Sequence, residues 1–101
     1  MLSFLWAYMP FYVYILVSEV DGSLYTGQTT DLKTRLKTHN KGLVKSTKRR
    51  SPYRLGYYEV CDTRSDAMRR EWELKKKWNT GRKKRLVEGF DKKSINRILG
   101  S

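Results

Sequence analysis

The sequence predicts a small α/β (α+β) domain in which a β-hairpin precedes a helix, a third strand and further helices. Three patterns lead to this fold class. Residues 11–18, FYVYILVS, include β-branched and aromatic residues at even and odd positions alike, which is typical of a strand covered on both faces. Asp21 and Gly22 mark a tight turn, after which SLYTG returns as the partner strand of a hairpin. Residues 67–79, AMRREWELKKKWN, have the apolar spacing of an amphipathic helix.

The two strands of this hairpin carry tyrosines that we expect on one face. A two-residue loop would pair residue 20 with residue 23 and residue 18 with residue 25. Even positions of the first strand then share a face with odd positions of the second. Tyr14 and Tyr25 therefore point the same way, and Gly27 closes the second strand.

The first helix is predicted over residues 32–40, LKTRLKTHN, with Thr30 or Asp31 as its N-cap and Gly42 as its end. Its expected core contacts are Leu32 and Leu36. Arg35 and His39 follow Leu32 by three and seven residues, so we expect both to flank the buried stripe and lean toward the sheet edge.

The third strand is predicted over residues 54–60, RLGYYEV, and residues 63–66 resemble a capping box for the next helix. One face of that helix carries Ala67, Glu71, Leu74 and Trp78, with Met68 and Trp72 alongside. Glu71 thus takes a slot that an apolar residue normally fills, and a carboxylate there needs a partner or a function.

The remaining chain gives two short helices, split by Gly89, with Asp91 as a cap for the second. We expect an N-terminal extension over residues 1–10, one folded domain over residues 11–90 and a helical tail over residues 91–101. The opening MLSFLWAYMP lacks a basic n-region and is far shorter than the ~20 residues of a membrane span, so we expect neither a signal peptide nor an anchor.

The charge of the chain favours a polyanionic partner. Lys and Arg number 22 against 10 Asp and Glu, a net charge of +12, while 13% aromatic residues argue for a folded domain over a disordered basic tail. Three basic runs are candidates for phosphate contact, although such runs are commonly only a solvated face. The candidate nucleic-acid-binding residues are Lys45, Lys48, Arg49, Arg50, Lys75, Lys76, Arg82 and Lys83.

Cys61 is the single cysteine, which excludes an intramolecular disulfide and fits a reducing cytoplasmic location. We expect it to be a small, half-buried residue at the end of a strand.

The tripeptides at residues 12–14 and 25–27, followed by Arg35, His39 and Glu71, resemble the GIY-YIG nuclease family, above all its small stand-alone bacterial members. The resemblance spans residues 11–88. It implies a three-stranded antiparallel sheet flanked by helices and a divalent-metal-dependent endonuclease that cleaves phosphodiester bonds in DNA. Tyr12 replaces the glycine and Thr26 the isoleucine of the family tripeptides, and Asn79 is the nearest candidate for an asparagine that some members carry.

The resemblance also implies a role for each matching residue. Tyr14 activates or orients the attacking water, for which nearby cations would have to lower a phenol pKa near 10. Tyr25 orients the scissile phosphate or assists the water, Arg35 holds phosphate oxygens, and His39 accepts a proton or binds phosphate. Glu71 holds the single metal ion, Mg²⁺ or Mn²⁺. The structural alternatives are packed tyrosines, a solvated arginine, a structural or capping histidine, and a salt bridge from Glu71 to Lys75 or a neighbouring arginine.

The expected partner is DNA, with duplex, branched and single-stranded forms left open, and RNA is a second candidate. We expect a monomer or a weak dimer. The rival interpretation is a non-catalytic nucleic-acid-binding module on the same fold, and a third is a structural or protein-interaction role.

Overall fold

The computed structural model describes residues 9–100, so most of the predicted N-terminal extension lies outside the described residues. The strands are β1 (Phe11–Ser18), β2 (Leu24–Thr29) and β3 (Tyr53–Cys61), and a short 3₁₀ turn spans Lys48–Arg50. The helices are α1 (Leu32–Asn40), α2 (Arg64–Lys76), α3 (Thr80–Glu88) and α4 (Lys92–Leu99).

The three strands form one antiparallel sheet in the order β2-β1-β3, which confirms the predicted fold class. The hairpin loop is longer than the expected two residues, because the Ser18 N–H donates to the Ser23 carbonyl and the loop occupies residues 19–22. Tyr14 accordingly pairs with Gly27, and Leu16 pairs with Tyr25. A shift of two residues keeps the parity of the pairing, so Tyr14 and Tyr25 do share a face.

The core consists of two clusters, one on each face of the sheet. Val13 and Ile15 belong to the first cluster, and Tyr14 and Leu16 belong to the second. Both faces of β1 are therefore covered, which explains its uninterrupted apolar sequence. The first cluster also contains Tyr57, Ala67 and Leu74, and the second contains Leu32, Tyr53 and Leu55.

Short polar side chains cap the helices. Asp31, not Thr30, accepts the backbone N–H of Thr34 at the start of α1, and Thr63 accepts that of Asp66 at the start of α2. Asn79 and Asp91 cap α3 and α4. The helix α1 ends at Asn40, two residues before Gly42, whose φ of +74° takes the chain out of the helical region.

The C-terminal helix α4 packs against the second cluster. Ile95, Ile98 and Leu99 contact that cluster, and Gly89 ends the preceding helix α3 as predicted. Cys61 is half-buried at the end of β3, as expected. Within the described part of the chain, no helix is long and apolar enough to cross a membrane.

An ion pair fixes α2 on β3. Arg70 lies 2.8 Å from a carboxylate oxygen of Glu59, which also accepts the Tyr57 hydroxyl at 2.6 Å. The Arg70 guanidinium lies 5.2 Å from the centre of the Trp78 ring. These contacts fix the orientation of α2, the helix that carries Glu71, relative to the sheet.

Two apolar residues of α2 are more exposed than the helical pattern predicts. Met68 is 54% exposed and Trp72 is 51% exposed, although both were expected alongside the buried face. Each follows a core-facing position by one residue, and one residue is a rotation of about 100° round a helix. The covered stripe of α2 is therefore too narrow to include them.

Candidate active site

A hydrogen-bonded chain of side chains runs through the second cluster. The Tyr14 hydroxyl lies 2.9 Å from Nε2 of His39, and Nδ1 of His39 lies 2.8 Å from the Thr47 hydroxyl. The Thr47 hydroxyl lies 3.3 Å from the carbonyl oxygen of Val44. A carbonyl only accepts, so we assign Thr47 as its donor and as the acceptor of the His39 Nδ1–H. Nε2 is then the acceptor of the Tyr14 hydroxyl proton.

His39 is fully buried, with 0% of its surface exposed. It therefore lies within the buried stripe, whereas the sequence predicts that it flanks the stripe. Seven residues make almost two turns of helix, so His39 returns to nearly the same line as Leu32 and enters the core. Burial lowers its pKa to about 4, and the positive charge of Arg35 acts in the same direction. The imidazole is therefore neutral near pH 7.

Tyr14 is a protonated phenol in this environment. Burial raises its pKa to about 12, and the hydrogen bond from Arg35 only partly offsets that increase. The Nε of Arg35 lies 3.4 Å from the Tyr14 oxygen, a long contact from a half-buried guanidinium. The role that the family resemblance implies for Tyr14 would need cations to lower this pKa below its usual value near 10, whereas the pKa here lies above it.

Gly27 allows the two tyrosines to come together. The Tyr14 and Tyr25 ring centres are 6.4 Å apart, and the Tyr25 ring lies 5.0 Å from that of His39. A Cβ atom at position 27 would lie 2.5 Å from the Tyr14 oxygen and 3.1 Å from Cε2 of Tyr25. The last residue of the second tripeptide must therefore lack a side chain.

Glu71 is held by two partners at the edge of the sheet. One carboxylate oxygen, Oε1, accepts a hydrogen bond from the Gln28 amide at 2.9 Å, and the other, Oε2, lies 2.9 Å from the Lys75 ammonium. The Lys75 ammonium also lies 5.8 Å from the centre of the Tyr25 ring. Because Tyr25 and Gln28 point to opposite faces of the edge strand β2, these contacts place Glu71 and Lys75 along that edge.

The residues around Glu71 fit a weakly held hard cation. The carboxylate is 20% exposed and already has a cationic group, Lys75, on one oxygen. Residues 9–100 contain no group of three or more His, Cys, Asp or Glu side chains that could form a protein cage for a metal. Mg²⁺ commonly binds one or two carboxylates and takes its other ligands from water and substrate phosphate. Glu71 is thus the side chain that could hold such an ion.

The predicted nucleic-acid-binding residues fall into separate groups. Lys45, Lys48 and Arg49 are exposed in the segment that contains buried Thr47, so this run borders the tyrosine cluster. The others lie elsewhere or already contact protein groups. Arg50 pairs with Asp21, Lys75 with Glu71, Arg82 lies 3.5 Å above the Trp78 ring, Lys76 is exposed in α2 and Lys83 is half-buried in α3.

Three residues of this region were not singled out from the sequence. Thr47 and Gln28 bind His39 and Glu71, and Asn40 bonds both the N–H and the carbonyl of Tyr53, which ties α1 to β3. Gln28 follows Gly27 directly, and this adjacency is a signal that could have identified it. Thr47 has no comparable signal, since it stands in a polar loop.

Comparisons with known proteins agree with the order of these residues. Residues 10–85 match the sequence profile of the GIY-YIG catalytic domain. A UPF0213 protein of Staphylococcus haemolyticus is 51% identical over 65 residues, which are 63% of this chain and 78% of that protein. A UPF0213 protein of Streptococcus pyogenes serotype M3 is 44% identical over 86 residues, 84% of this chain and 92% of that protein.

The fold is also similar to a solved structure. The solution NMR structure of a UPF0213 protein from Bacillus halodurans has a TM-score of 0.53 and 37% sequence identity to this chain. The similarity covers 92% of this chain and 99% of that one. Sequence and structure therefore lead to the same group of proteins.

Proposed function

Because the chain belongs to the GIY-YIG family, a nuclease superfamily, we propose that it is a divalent-metal-dependent endonuclease that hydrolyses phosphodiester bonds in DNA. The observation that carries this proposal is the direct contact of Tyr14 with both Arg35 and His39. Tyr25 packs on this group, and Lys75 connects its ring to Glu71. These contacts support the proposal, because they connect the five residues that the family resemblance selects.

Tyr14 and His39 would transfer the proton of the attacking water. The water gives its proton to the Tyr14 oxygen while the Tyr14 hydroxyl gives its own to Nε2 of His39, which leaves hydroxide to attack phosphorus. The imidazolium that forms keeps its Nδ1–H bond to Thr47. A phenol with a pKa of about 12 releases its proton most readily when it receives another in the same step.

Arg35 would bind the scissile phosphate beside this pair. A guanidinium has five N–H donors in a planar fork, which matches two phosphate oxygens. Burial is the larger cause of the low pKa of His39 and the charge of Arg35 is the second, and the bound phosphate would offset this second cause. Substrate binding would therefore make the imidazole a stronger base when the proton is transferred.

Glu71 would hold a Mg²⁺ or Mn²⁺ ion, which when bound supplies positive charge at the leaving oxygen. Lys45, Lys48 and Arg49 would contact phosphates on either side of the cleaved bond. DNA is the proposed substrate, RNA a second candidate, and the proposed setting is the cytoplasm, as a monomer or weak dimer.

The experiment that tests this function is the cleavage of supercoiled plasmid and of labelled duplex, branched and single-stranded DNA with Mg²⁺, Mn²⁺ or EDTA. We expect metal-dependent cleavage by the wild-type chain and its loss in Arg35→Ala and Glu71→Gln. Glu73→Gln is the matched control, because it removes a carboxylate from the same helix that pairs with Arg70, whereas Glu71 contacts Gln28 and Lys75. Wild-type cleavage by Glu71→Gln would refute the metal role of Glu71.

A non-catalytic nucleic-acid-binding module is a second candidate, which the occupation of both Glu71 oxygens by Gln28 and Lys75 favours. A salt titration of DNA binding separates the outcomes. Log K should fall with log salt at a slope of about −0.9 per phosphate contacted, with several phosphates involved. Salt-dependent binding without cleavage would identify the module, and a flat salt response would refute both nucleic-acid functions.

A further inference from the structure

We propose that Lys75 occupies the Glu71 site as a built-in competing cation, and that Gln28 holds the carboxylate so that Oε2 is the atom that receives the metal. This inference rests on the proposed function, because it describes how the same site exchanges one cation for another. Its basis is the division of the two carboxylate oxygens between two different partners, Gln28 on Oε1 and Lys75 on Oε2.

The Lys75 contact is of a kind that a metal ion can displace. Lys75 lies one helical turn after Glu71, and its side chain is 41% exposed while that of Glu71 is 20% exposed. Ion pairs with this spacing on a helix are weak and are screened by salt. The ammonium and a divalent ion cannot share one oxygen at close range, because their charges repel. A bound metal therefore requires Lys75 to move.

The Gln28 contact is of a different kind, because it can remain when the metal binds. An amide N–H donates to Oε1 without adding positive charge, and it fixes the direction in which Oε2 points. Gln28 belongs to β2 and directly follows Gly27, so it ties the carboxylate to the strand that also carries Tyr25. The orientation of Glu71 is thus set by the same strand as the tyrosine cluster.

The position of Lys75 also gives it a place to go. Its ammonium lies 5.8 Å from the centre of the Tyr25 ring, on the side of the tyrosine cluster. Once released from Glu71, it can turn toward a phosphate beside that ring while the metal neutralises the carboxylate. The exchange would give the substrate two cations, the metal ion and the Lys75 ammonium. In the unbound protein, Glu71 neutralises the charge of Lys75.

The test is a titration of the full chain with Mn²⁺ in the absence of DNA, with free Mn²⁺ measured by electron paramagnetic resonance. We expect Lys75→Met to bind Mn²⁺ about two- to tenfold more tightly than the wild type, because it lacks the competing ion pair. Lys76→Met is the matched control, since it removes the same charge from the next position of the helix. Gln28→Leu should weaken binding by about 10- to 100-fold through the loss of a ligand-orienting hydrogen bond.

The outcomes separate this inference from the function on which it rests. Unchanged Mn²⁺ binding in Glu71→Gln would overturn the metal role of Glu71 and with it both proposals. Binding that Glu71→Gln abolishes, but that Lys75→Met and Lys76→Met change equally, would overturn the competing-cation role alone. Wild-type affinity in Gln28→Leu, with thermal unfolding confirming an intact fold, would overturn the orienting role.

Discussion

The buried imidazole of His39 should make the stability of the whole domain depend on pH. Its pKa in the folded protein is lowered from 6.5 to about 4, whereas in the unfolded chain it regains its ordinary value. Between these two pKa values the unfolded state binds more protons than the folded state. The stabilisation is therefore fully present above pH 6.5 and is lost as the pH falls toward 4.

The size of this effect follows from the two pKa values. With 1.36 kcal/mol per pKa unit, the linkage relation gives a decrease in the free energy of unfolding of about 2 kcal/mol between pH 7 and pH 4.5. The change is steepest near pH 5. Asp21 and Asp31 have pKa values lowered by their hydrogen bonds, so the stability that they contribute is lost at lower pH than this window.

Urea unfolding at a series of pH values measures the decrease, and His39→Gln should flatten the curve between pH 7 and pH 4.5. A second measurement does not depend on whether that variant folds. The chain has one histidine, so the titration of its ring protons by NMR reports His39 alone. A midpoint near 6.5 in the folded protein would refute the assignment of a buried, neutral imidazole that accepts the Tyr14 proton.

Four further substitutions test the packing of the site and its supporting helix. Tyr14→Phe leaves a buried imidazole nitrogen without its donor and should reduce the free energy of unfolding in urea by about 1–3 kcal/mol. Tyr25 is half-buried, so Tyr25→Phe should reduce the free energy of unfolding by under about 1 kcal/mol. Equal decreases for Tyr14→Phe and Tyr25→Phe would contradict the assigned hydrogen bond between Tyr14 and His39. Gly27→Ala places a methyl group 2.5 Å from the Tyr14 oxygen and should cost about 1–3 kcal/mol by the same assay, so an unchanged stability would mean that the ring can move aside. Arg70→Met removes the ion-pair partner of Glu59. Because both side chains are about a quarter exposed, we expect thermal unfolding to show a decrease of about 1–2 kcal/mol in the free energy of unfolding. An unchanged free energy of unfolding would mean that the pair is only a surface contact.

The fold is largely predictable from the sequence because its determinants are local. The alternation that places Tyr14 and Tyr25 on one face has a period of two, so it survives an error of two residues in the loop length. Asp31, Thr63 and Asp91 are predictable as caps, because each bonds a backbone N–H within three residues. Such patterns need no knowledge of distant partners.

The contacts that complete the site are not predictable in this way. Gln28 and Glu71 are 43 positions apart, and nothing in either local pattern indicates that they meet. Thr47 is buried because His39 turns into the core and requires a partner for Nδ1. Helical spacing likewise gives the order of residues round α2 but not the width of its covered stripe, which is why Trp72 was placed wrongly.

The helix α4 lies beyond residue 85, where the family match ends, yet it packs against the buried cluster that contains Tyr14. A fragment cut after residue 88 would retain all five matched side chains and lose Ile95, Ile98 and Leu99 from the cluster around Tyr14. Water would then reach Tyr14 and His39, whose shifted pKa values depend on burial. The C-terminal helix is thus expected to keep water away from candidate site residues that all precede it in the chain.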